Sequence, residues 1–369
     1  MVSFIRPQIA QLNAYKPHPG GATHGTIIDH LDTNESPYDL PDALKQKLAD
    51  VYVNEMDSNR YPDGSHDRLK RAICEYATES GKLEELLSSD RISIGNGSDE
   101  LIRSLLMATC VGEKASVLVA SPTFSMYGIL AQTLGIPVIT VERDPESFAI
   151  NPEVAQQAIA SETAMPVRVI FVVHPNSPTA NPLTAAEIEW LQQLPPEILV
   201  VIDEAYFEFS QQTLLAELDN YPNWLILRTF SKAFRLASHR VGYALGDPEV
   251  ISALEKVRLP YNLPSLSQTA AELVLHHRQA ILAVIPELLQ EREKLFSALQ
   301  ELSQLRVWPS GSNFLYARLQ NGGDKGHKDL CDRLKEKGTL IRNTGGGLRI
   351  TVGSPEENQR TRDRLIELL

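Results

Sequence analysis

Three apolar runs in the sequence are each followed at once by polar residues whose types could do chemistry. The runs are 169–173, 198–202 and 225–227. The polar residues that follow them are Asn176, Asp203, Tyr206, Ser231, Lys232 and Arg240. The question is therefore which chemistry uses a lysine, a carboxylate, a phenol and an arginine eight residues after the lysine.

A lysine amine that loses its water in a crevice has a lowered pKa and can form a Schiff base. Pyridoxal phosphate is bound in this way, and it also needs a carboxylate at its ring nitrogen and donors for its phosphate. Lys232, Asp203 and Arg240 are residues of these types. Most isolated lysines are solvated at the surface, and the residues alone leave that alternative open.

The elements that would position these residues are strands and helices in alternation. The runs are nearly continuous in Val, Ile and Leu, which is typical of a parallel sheet covered by helices on both faces. In such sheets, ligands bind beyond the carboxyl ends of the strands. We therefore expect an α/β fold in which the polar residues after the three runs surround one site.

A glycine turn at 95–100 precedes an apolar helical segment at 101–109. The start of a helix offers free N–H groups and the positive end of its dipole to an anion. The turn is neither a P-loop nor a Gly-x-Gly-x-x-Gly fingerprint. An anion site is one interpretation, and an ordinary turn is the other.

Another glycine turn, at 345–347, precedes Arg349. An arginine in a short strand after such a turn can offer its planar fork to a carboxylate or a phosphate. A structural salt bridge is the alternative for Arg349, and equally for Arg342.

Several motifs resemble those of the fold-type-I pyridoxal-phosphate aminotransferases. They are Pro-Asn-Ser-Pro-Thr at 175–179, Asp-Glu-Ala-Tyr at 203–206, and Thr-Phe-Ser-Lys-Ala-Phe at 229–234 with Arg240. With Tyr-Pro-Asp-Gly at 61–64 and Gly-Asn-Gly-Ser-Asp-Glu at 95–100, the set is similar to the histidinol-phosphate aminotransferase branch. The resemblance extends from about Tyr15 to Asn358.

The resemblance implies that Lys232 holds the cofactor as a Schiff base and then moves the proton of the substrate's α-carbon. Asp203 would keep the ring nitrogen protonated, and Phe124 would stack on the ring. Asn176 and Tyr206 would donate to the ring oxygen. The cofactor phosphate would be bound by Gly97, Ser98, Asp99, Thr229, Ser231 and Arg240.

The resemblance also implies a homodimer in which Tyr61 touches the cofactor phosphate of the other subunit. The substrate-binding residues would be Tyr15, Asn34, Arg342 and Arg349. The implied reaction converts histidinol phosphate and 2-oxoglutarate to imidazole-acetol phosphate and glutamate in histidine biosynthesis.

Other functions remain open at this stage. Within the family, they are a broad-specificity or aromatic aminotransferase and a phosphothreonine decarboxylase. Outside it, they are a regulator that uses such a domain as a sensor, and a nucleotide-binding module without covalent chemistry. The chain departs from the family at Ala180, often glycine, at Phe124, often tyrosine, and at Arg235 and Ser238, often small residues.

The length of 369 residues suggests two domains. We expect an arm at 1–36 over the active site, a large cofactor-binding domain at 37–257, and a small α+β domain at 258–369. Within them, the sequence predicts a helix start at Ser121, an Asn151 cap on a helix over 152–160, and a helical segment 267–302 broken at Pro286.

The net charge of −12 argues against binding to nucleic acid. No run of about 18 apolar residues predicts a membrane span, and the first 15 residues lack a signal-peptide core, so we expect a cytoplasmic protein. His18, His24 and His30 lie six residues apart, which suits no common metal motif, so no metal site is predicted.

Overall fold

The computed structural model describes residues 4–12 and 28–369. Its strands are β1 Asp29–His30, β2 Ile92–Asn96, β3 Ser116–Ser121, β4 Val138–Glu142, β5 Val167–Val173, β6 Leu199–Asp203, β7 Trp224–Thr229, β8 Val241–Gly246, β9 Leu305–Trp308, β10 Phe314–Leu319, β11 Thr339–Leu340, β12 Arg342–Thr344 and β13 Gly347–Thr351. Its helices are α1 Pro7–Gln11, α2 Asp42–Asn54, α3 Asp67–Gly81, α4 Ser98–Thr109, α5 Met126–Leu134, α6 Pro152–Ser161, α7 Ala185–Gln192, α8 Phe207–Ser210, α9 Pro248–Val257, α10 Ser265–His276, α11 Arg278–Leu282, α12 Ile285–Gln300, α13 Gly323–Glu336 and α14 Pro355–Leu368.

The large sheet has the strand order β2-β8-β7-β6-β5-β3-β4. Strands β3 to β7 are parallel to one another, whereas β8 is antiparallel to both β7 and β2. Along β5, Ile170 and Val172 belong to one apolar core, and Val169, Phe171 and Val173 belong to the core on the other face. Burial on both faces explains the continuous apolar runs. The predicted α/β fold with a mostly parallel sheet between helices is confirmed.

A smaller α+β unit is built on an antiparallel sheet of order β12-β13-β10-β9. Leu299, Leu334 and Leu365 of α12, α13 and α14 form its core with the sheet. Strand β1 pairs in parallel with β11, and Leu31 enters the same core. The part of the predicted arm that contains β1 and Leu31 is therefore attached to the small unit.

The predicted domain boundary at residue 258 stays a prediction, and the packing favours a later one. Helix α10 packs against α2 and α3, and its Ala271 and Val274 belong to a core of the large sheet. Helix α12 instead carries Leu295 into the small core. A boundary between α11 and α12 agrees better with these cores.

The local predictions had different outcomes. Asn151 caps α6 as predicted, because its Oδ1 accepts from the N–H groups of Glu153 at 3.0 Å and Val154 at 3.2 Å. The segment 267–302 is split into α10, α11 and α12, and Pro286 lies in the first turn of α12, where its missing N–H costs no hydrogen bond. The predicted helix start at Ser121 was wrong, since 122–125 is a loop before α5.

No helix in residues 4–12 and 28–369 is long and apolar enough to cross a membrane. The same ranges hold no group of three or more His, Cys, Asp or Glu side chains placed to bind a metal ion. His18 and His24 lie outside them. The cytoplasmic location stays a prediction.

Candidate active site

A cavity of about 220 Å³ opens beyond the carboxyl ends of β5, β6 and β7. The predicted site residues on its walls are Ser98, Asp99, Phe124, Asp203, Tyr206, Thr229, Ser231, Lys232, Arg240, Arg342 and Arg349. Gly97, Asn34, Asn176 and Tyr61 do not lie on its walls. Tyr15 lies outside the described residues.

Lys232 lies three residues beyond the end of β7, where the chain turns away from the sheet. Its Nζ donates to the carbonyl oxygen of Thr33 at 2.8 Å. Burial lowers the pKa of this amine, and the charge of Arg349 lowers it further, while Tyr206 acts in the opposite direction. A lowered pKa increases the fraction of neutral, nucleophilic amine near neutral pH.

Asp203 ends β6 and is held by two donors. Its Oδ2 accepts from the hydroxyl of Tyr127 at 2.7 Å, and its Oδ1 accepts from the N–H of Ala205 at 3.0 Å. Burial raises the pKa of Asp203 to about 6, although both hydrogen bonds favour the ionised form. The carboxylate is therefore mostly charged at neutral pH and can stabilise a cation in the cavity.

Tyr127 is a residue that the sequence analysis missed. It is fully buried and stacks on Phe171 with ring centroids 4.5 Å apart. Its position three residues after Phe124, just inside a helix, could have suggested that the two rings pack together. Phe124 meets the Tyr127 ring edge to face at 5.4 Å and lines the cavity.

Tyr206 is held by Asn34, which lies behind it. Asn34 Nδ2 donates to the Tyr206 hydroxyl at 2.9 Å, and Thr351 Oγ1 donates to Asn34 Oδ1 at 3.1 Å. The backbone of Asn34 has a left-handed φ of 56°. The predicted substrate contact of Asn34 stays a prediction, and in the structure its side chain contacts Tyr206.

Asn176 was predicted to donate into the site, but its side chain is turned away from the cavity. Its Nδ2 donates to Pro122 O at 3.0 Å and to Thr179 Oγ1 at 2.6 Å, which uses both amide protons. Its Oδ1 accepts from Thr123 Oγ1 at 3.3 Å and from Arg143 Nη2 at 3.4 Å. The next residue, Ser177, lies on the cavity wall instead.

One end of the cavity is lined with anion-binding groups. Arg240 Nη1 donates to Ser231 Oγ at 3.2 Å, and Arg240 Nη2 lies 3.4 Å from Asp99 Oδ2. Ser98 and Asp99 form the first turn of α4, which has free N–H groups. Gly97, the residue before this helix, has a φ of 74°, and a Cβ there would lie 2.6 Å from Arg240 Nη2.

Arg342 and Arg349 reach the cavity from the small unit, where they are partners in the register of β12 and β13. Arg349 Nη1 donates to Ser177 Oγ at 3.2 Å, and its Nη2 donates to the carbonyl oxygen of Asp32 at 2.7 Å. Two neighbouring guanidinium groups can bind a doubly charged anion.

Two of the departures from the family pattern, Ala180 and Arg235, lie off the cavity walls. Ala180 has a left-handed φ of 63°, which explains the usual glycine there. Arg235 donates to the carbonyl oxygens of Ile281 at 2.8 Å and Asp39 at 3.1 Å.

The fold and the lysine-centred cavity define a class I and II aminotransferase. Residues 27–365 match the model of the family described as Aminotransferase class I and II. The chain is 58% identical to the histidinol-phosphate aminotransferase of Trichodesmium erythraeum over 99% of each chain. It is also 58% identical to that of Synechococcus elongatus, over 98% of this chain and 96% of the other.

The fold agrees with the crystal structure of histidinol-phosphate aminotransferase from Sinorhizobium meliloti in complex with pyridoxal-5'-phosphate. The TM-score is 0.83 at 23% identity, over 100% of this chain and 99% of the other. The chain belongs to the histidinol-phosphate aminotransferase family.

Proposed function

We propose that this aminotransferase moves the amino group of histidinol phosphate to 2-oxoglutarate, with pyridoxal phosphate bound at Lys232. The observation that carries the proposal is one cavity that holds Lys232, Asp203 and Arg240 together with Arg342 and Arg349. The names of the relatives at 58% identity support this choice of substrate.

The donor set fits pyridoxal phosphate. Ser231, Arg240 and the first turn of α4 would hold its phosphate, and Asp203 would face its ring nitrogen. The bare backbone at Gly97 keeps the phosphate end open, because a Cβ would crowd Arg240. When bound, the cofactor supplies an electron-accepting ring that stores the amino group between the two half-reactions.

The residues of the chain perform the proton transfers and the positioning. Lys232 would attach the cofactor, and its freed amine would then take and return the proton at the substrate's α-carbon. The Asp203 carboxylate would stabilise a proton on the ring nitrogen. The Tyr206 hydroxyl, held by Asn34, would donate to the ring oxygen, and Phe124 would pack on the ring face.

Both substrates carry anionic groups that are not changed by the reaction. Glutamate has two carboxylates, and histidinol phosphate has a phosphate. Arg342 and Arg349 would bind these groups in turn, since an arginine fork fits either anion with two hydrogen bonds.

Replacing Gly97 with alanine is expected to weaken pyridoxal phosphate binding about tenfold or more, which is about 1.4 kcal/mol. The new Cβ would lie 2.6 Å from Arg240 Nη2 and would displace the guanidinium from the phosphate. The dissociation constant would be measured by equilibrium dialysis. Gly112→Ala is the matched control, because Gly112 has a φ of 85° and nothing within 4 Å of its Cβ position. Equal affinities in both variants would contradict this account.

The proposed reaction is tested through its first half. The protein with pyridoxal phosphate should show a visible band that histidinol phosphate bleaches and 2-oxoglutarate restores. Bleaching should be at least about 100-fold faster with histidinol phosphate than with phenylalanine, because a phosphate can accept hydrogen bonds from both Arg342 and Arg349, whereas phenylalanine offers only one carboxylate with a single charge. The measurement is stopped-flow absorbance.

The alternatives give different results in the same assay. Equal rates with phenylalanine would indicate a broad-specificity or aromatic aminotransferase. Release of carbon dioxide from phosphothreonine, without 2-oxoglutarate consumption, would indicate a decarboxylase. No band with the cofactor would overturn the proposal.

We also propose the homodimer, with Tyr61 directed to the partner's cofactor phosphate. Tyr61 is 81% exposed and lies away from the cavity of its own chain. It stacks on Tyr261 with centroids 4.6 Å apart, and Leu259 nearby in sequence is 70% exposed. Exposed aromatic and aliphatic side chains of this kind are characteristic of an interface between chains.

A further inference from the structure

Within residues 28–369, the chain passes at two places between the small unit and the unit built on the large sheet, here called the large unit. Leu31 belongs to the small core and Leu40 to a core of the large sheet, so residues 32–39 form the first connection. Ile281 of α11 lies in that same large core, whereas Leu295 of α12 lies in the small core. The second connection therefore leaves the large unit just after Ile281.

Arg235 is bonded to the large-unit end of both connections. Its Nη1 donates to the carbonyl oxygen of Asp39 at 3.1 Å, and its Nη2 donates to the carbonyl oxygen of Ile281 at 2.8 Å. A guanidinium is a rigid, planar fork, so its two donors keep a fixed geometry. One half-buried side chain thus joins two stretches that are distant in sequence.

The same residue belongs to the turn that carries Lys232. The N–H of Arg235 donates to the carbonyl oxygen of Lys232 at 3.1 Å, and the N–H of Leu236 donates to that of Phe230 at 3.0 Å. Arg235 has a left-handed φ of 61°, which is unfavourable for a residue with a Cβ. Such conformations persist where surrounding contacts compensate for them, and here the contacts are those with the two connections.

The two connections also contact each other beside this turn. The Tyr38 hydroxyl donates to Glu287 Oε1 of α12 at 2.6 Å, and the Arg235 guanidinium lies 5.9 Å from the centroid of the Tyr38 ring. Ala233, the residue after Lys232, packs in one apolar cluster with Ile285 at the start of α12. The lysine turn and both connections therefore form one packed junction.

We propose that Arg235 is a positioning residue that sets the distance between Lys232 in the large unit and the anion-binding Arg342 and Arg349 in the small unit. The inference rests on the proposed function. Arg235 lies off the cavity walls, so it acts through the connections and not by touching the substrate. A substrate held by its phosphate in one unit and by its amine in the other needs both units aligned, because a misplacement of about 1 Å can reduce a rate about 100-fold.

The test compares two amines that attack the cofactor on Lys232 in the protein saturated with pyridoxal phosphate. Histidinol phosphate contacts both units. Methoxyamine has no anionic group, and its nitrogen forms the new C=N bond as the Lys232 nitrogen leaves. The second-order rate constant for the change in the visible band is measured by stopped-flow absorbance. Arg235→Leu is expected to slow the reaction of histidinol phosphate about tenfold or more and that of methoxyamine less than about twofold.

Two further variants separate this role from a general loosening of the fold. Arg235→Lys keeps the charge and can bond one of the two carbonyl oxygens, so it should recover part of the lost rate. Arg278→Leu is the matched control, because Arg278 of α11 donates to the carbonyl oxygen of Leu275 at 3.0 Å and to Glu79 Oε2 at 2.7 Å, both in the large unit. Its two rates should equal those of the wild type, and a selective loss equal to that of Arg235→Leu would overturn the proposal.

A second measurement needs neither cofactor nor substrate. Hydrogen exchange of the cofactor-free protein, followed by mass spectrometry, reports how often the two connections open. In Arg235→Leu, exchange at 36–40 and at 282–286 should be faster by about threefold or more, the size of the effect of a lost hydrogen bond. Exchange in β5, β6 and β7 should be unchanged.

The outcomes separate this inference from the proposed function. Equal slowing with both amines would assign the effect of Arg235 to the lysine turn itself and overturn the positioning role, as would unchanged rates with both. Either result leaves the proposed function intact. A wild-type band that responds to methoxyamine but not to histidinol phosphate would contradict the proposed function. Unchanged exchange in Arg235→Leu would then still overturn the joining of the two connections by Arg235.

Discussion

Replacing Lys232 with alanine is expected to reduce turnover by a factor of at least about 10³, which is about 4 kcal/mol in the barrier. In the proposed mechanism, the variant loses both the amine that attaches the cofactor and the base that moves the α-proton. The Arg240 and Ser231 contacts at the phosphate end do not depend on Lys232, so pyridoxal phosphate should still bind without covalent attachment. The measurements are the steady-state rate with histidinol phosphate and the absorbance of the bound cofactor.

Lys70 provides the matched control, because it is a second lysine with low exposure. Its side chain is 11% exposed, and its Nζ lies 3.6 Å from Glu255 Oε2. It does not line the cavity. Lys70→Ala should therefore retain the visible band and the rate. A Lys232→Ala variant with more than about a tenth of the wild-type turnover would contradict the role of Lys232.

The positions of the site strands could be predicted from sequence because β5, β6 and β7 are buried on both faces. Continuous burial produces a continuous apolar run, and parallel strands bring the residues after each run to one edge of the sheet. Asp203 ends β6 and Lys232 lies three residues beyond β7, so their convergence required no knowledge of distant contacts.

The direction of a side chain in a loop could not be predicted in the same way. Asn176 and Ser177 are adjacent, and which of them faces the cavity depends on partners distant in sequence. Arg143 and Pro122 hold Asn176, and Arg349 contacts Ser177 from 172 residues away. The donor role of Asn176 stays a prediction, and Ser177 is the residue of this turn that lies on the cavity wall.

The contacts of Asn34 could not be predicted for a related reason. Asn34 is joined to Tyr206 and to Thr351, residues of two different units, and only the packing of those units brings the three together. The position of Pro286 could be predicted from the sequence alone. Proline lacks an N–H and has a fixed φ, which limits it to a helix break or to the first turn of a helix.

The residue after Asp203 forms a buried ion pair behind the site. Glu204 and Arg228 are almost fully buried, and Glu204 Oε2 accepts from Arg228 Nε at 3.0 Å and Nη2 at 2.9 Å. The guanidinium also lies 3.9 Å over the Phe207 ring. Breaking such a pair from one side leaves a buried charge without compensation.

Glu204→Gln is therefore expected to lower the free energy of unfolding by about 3 to 5 kcal/mol. The measurement is urea unfolding of the protein saturated with pyridoxal phosphate, so that ligand binding stabilises both proteins by a comparable amount. Asp332→Asn is the control. It removes an exposed partner of Lys328, and exposed ion pairs contribute little, so its midpoint should equal that of the wild type.

A second variant distinguishes an unpaired charge from a simple loss of contacts. Glu204→Gln combined with Arg228→Met removes the guanidinium as well, so the buried positive charge no longer has to be solvated. The double variant should then be more stable than Glu204→Gln alone, since a pair replaced by uncharged groups costs less than a pair broken on one side. If the double variant is less stable than the single one, the contacts of Arg228 with Ser80 and Phe207, rather than charge pairing, stabilise this region.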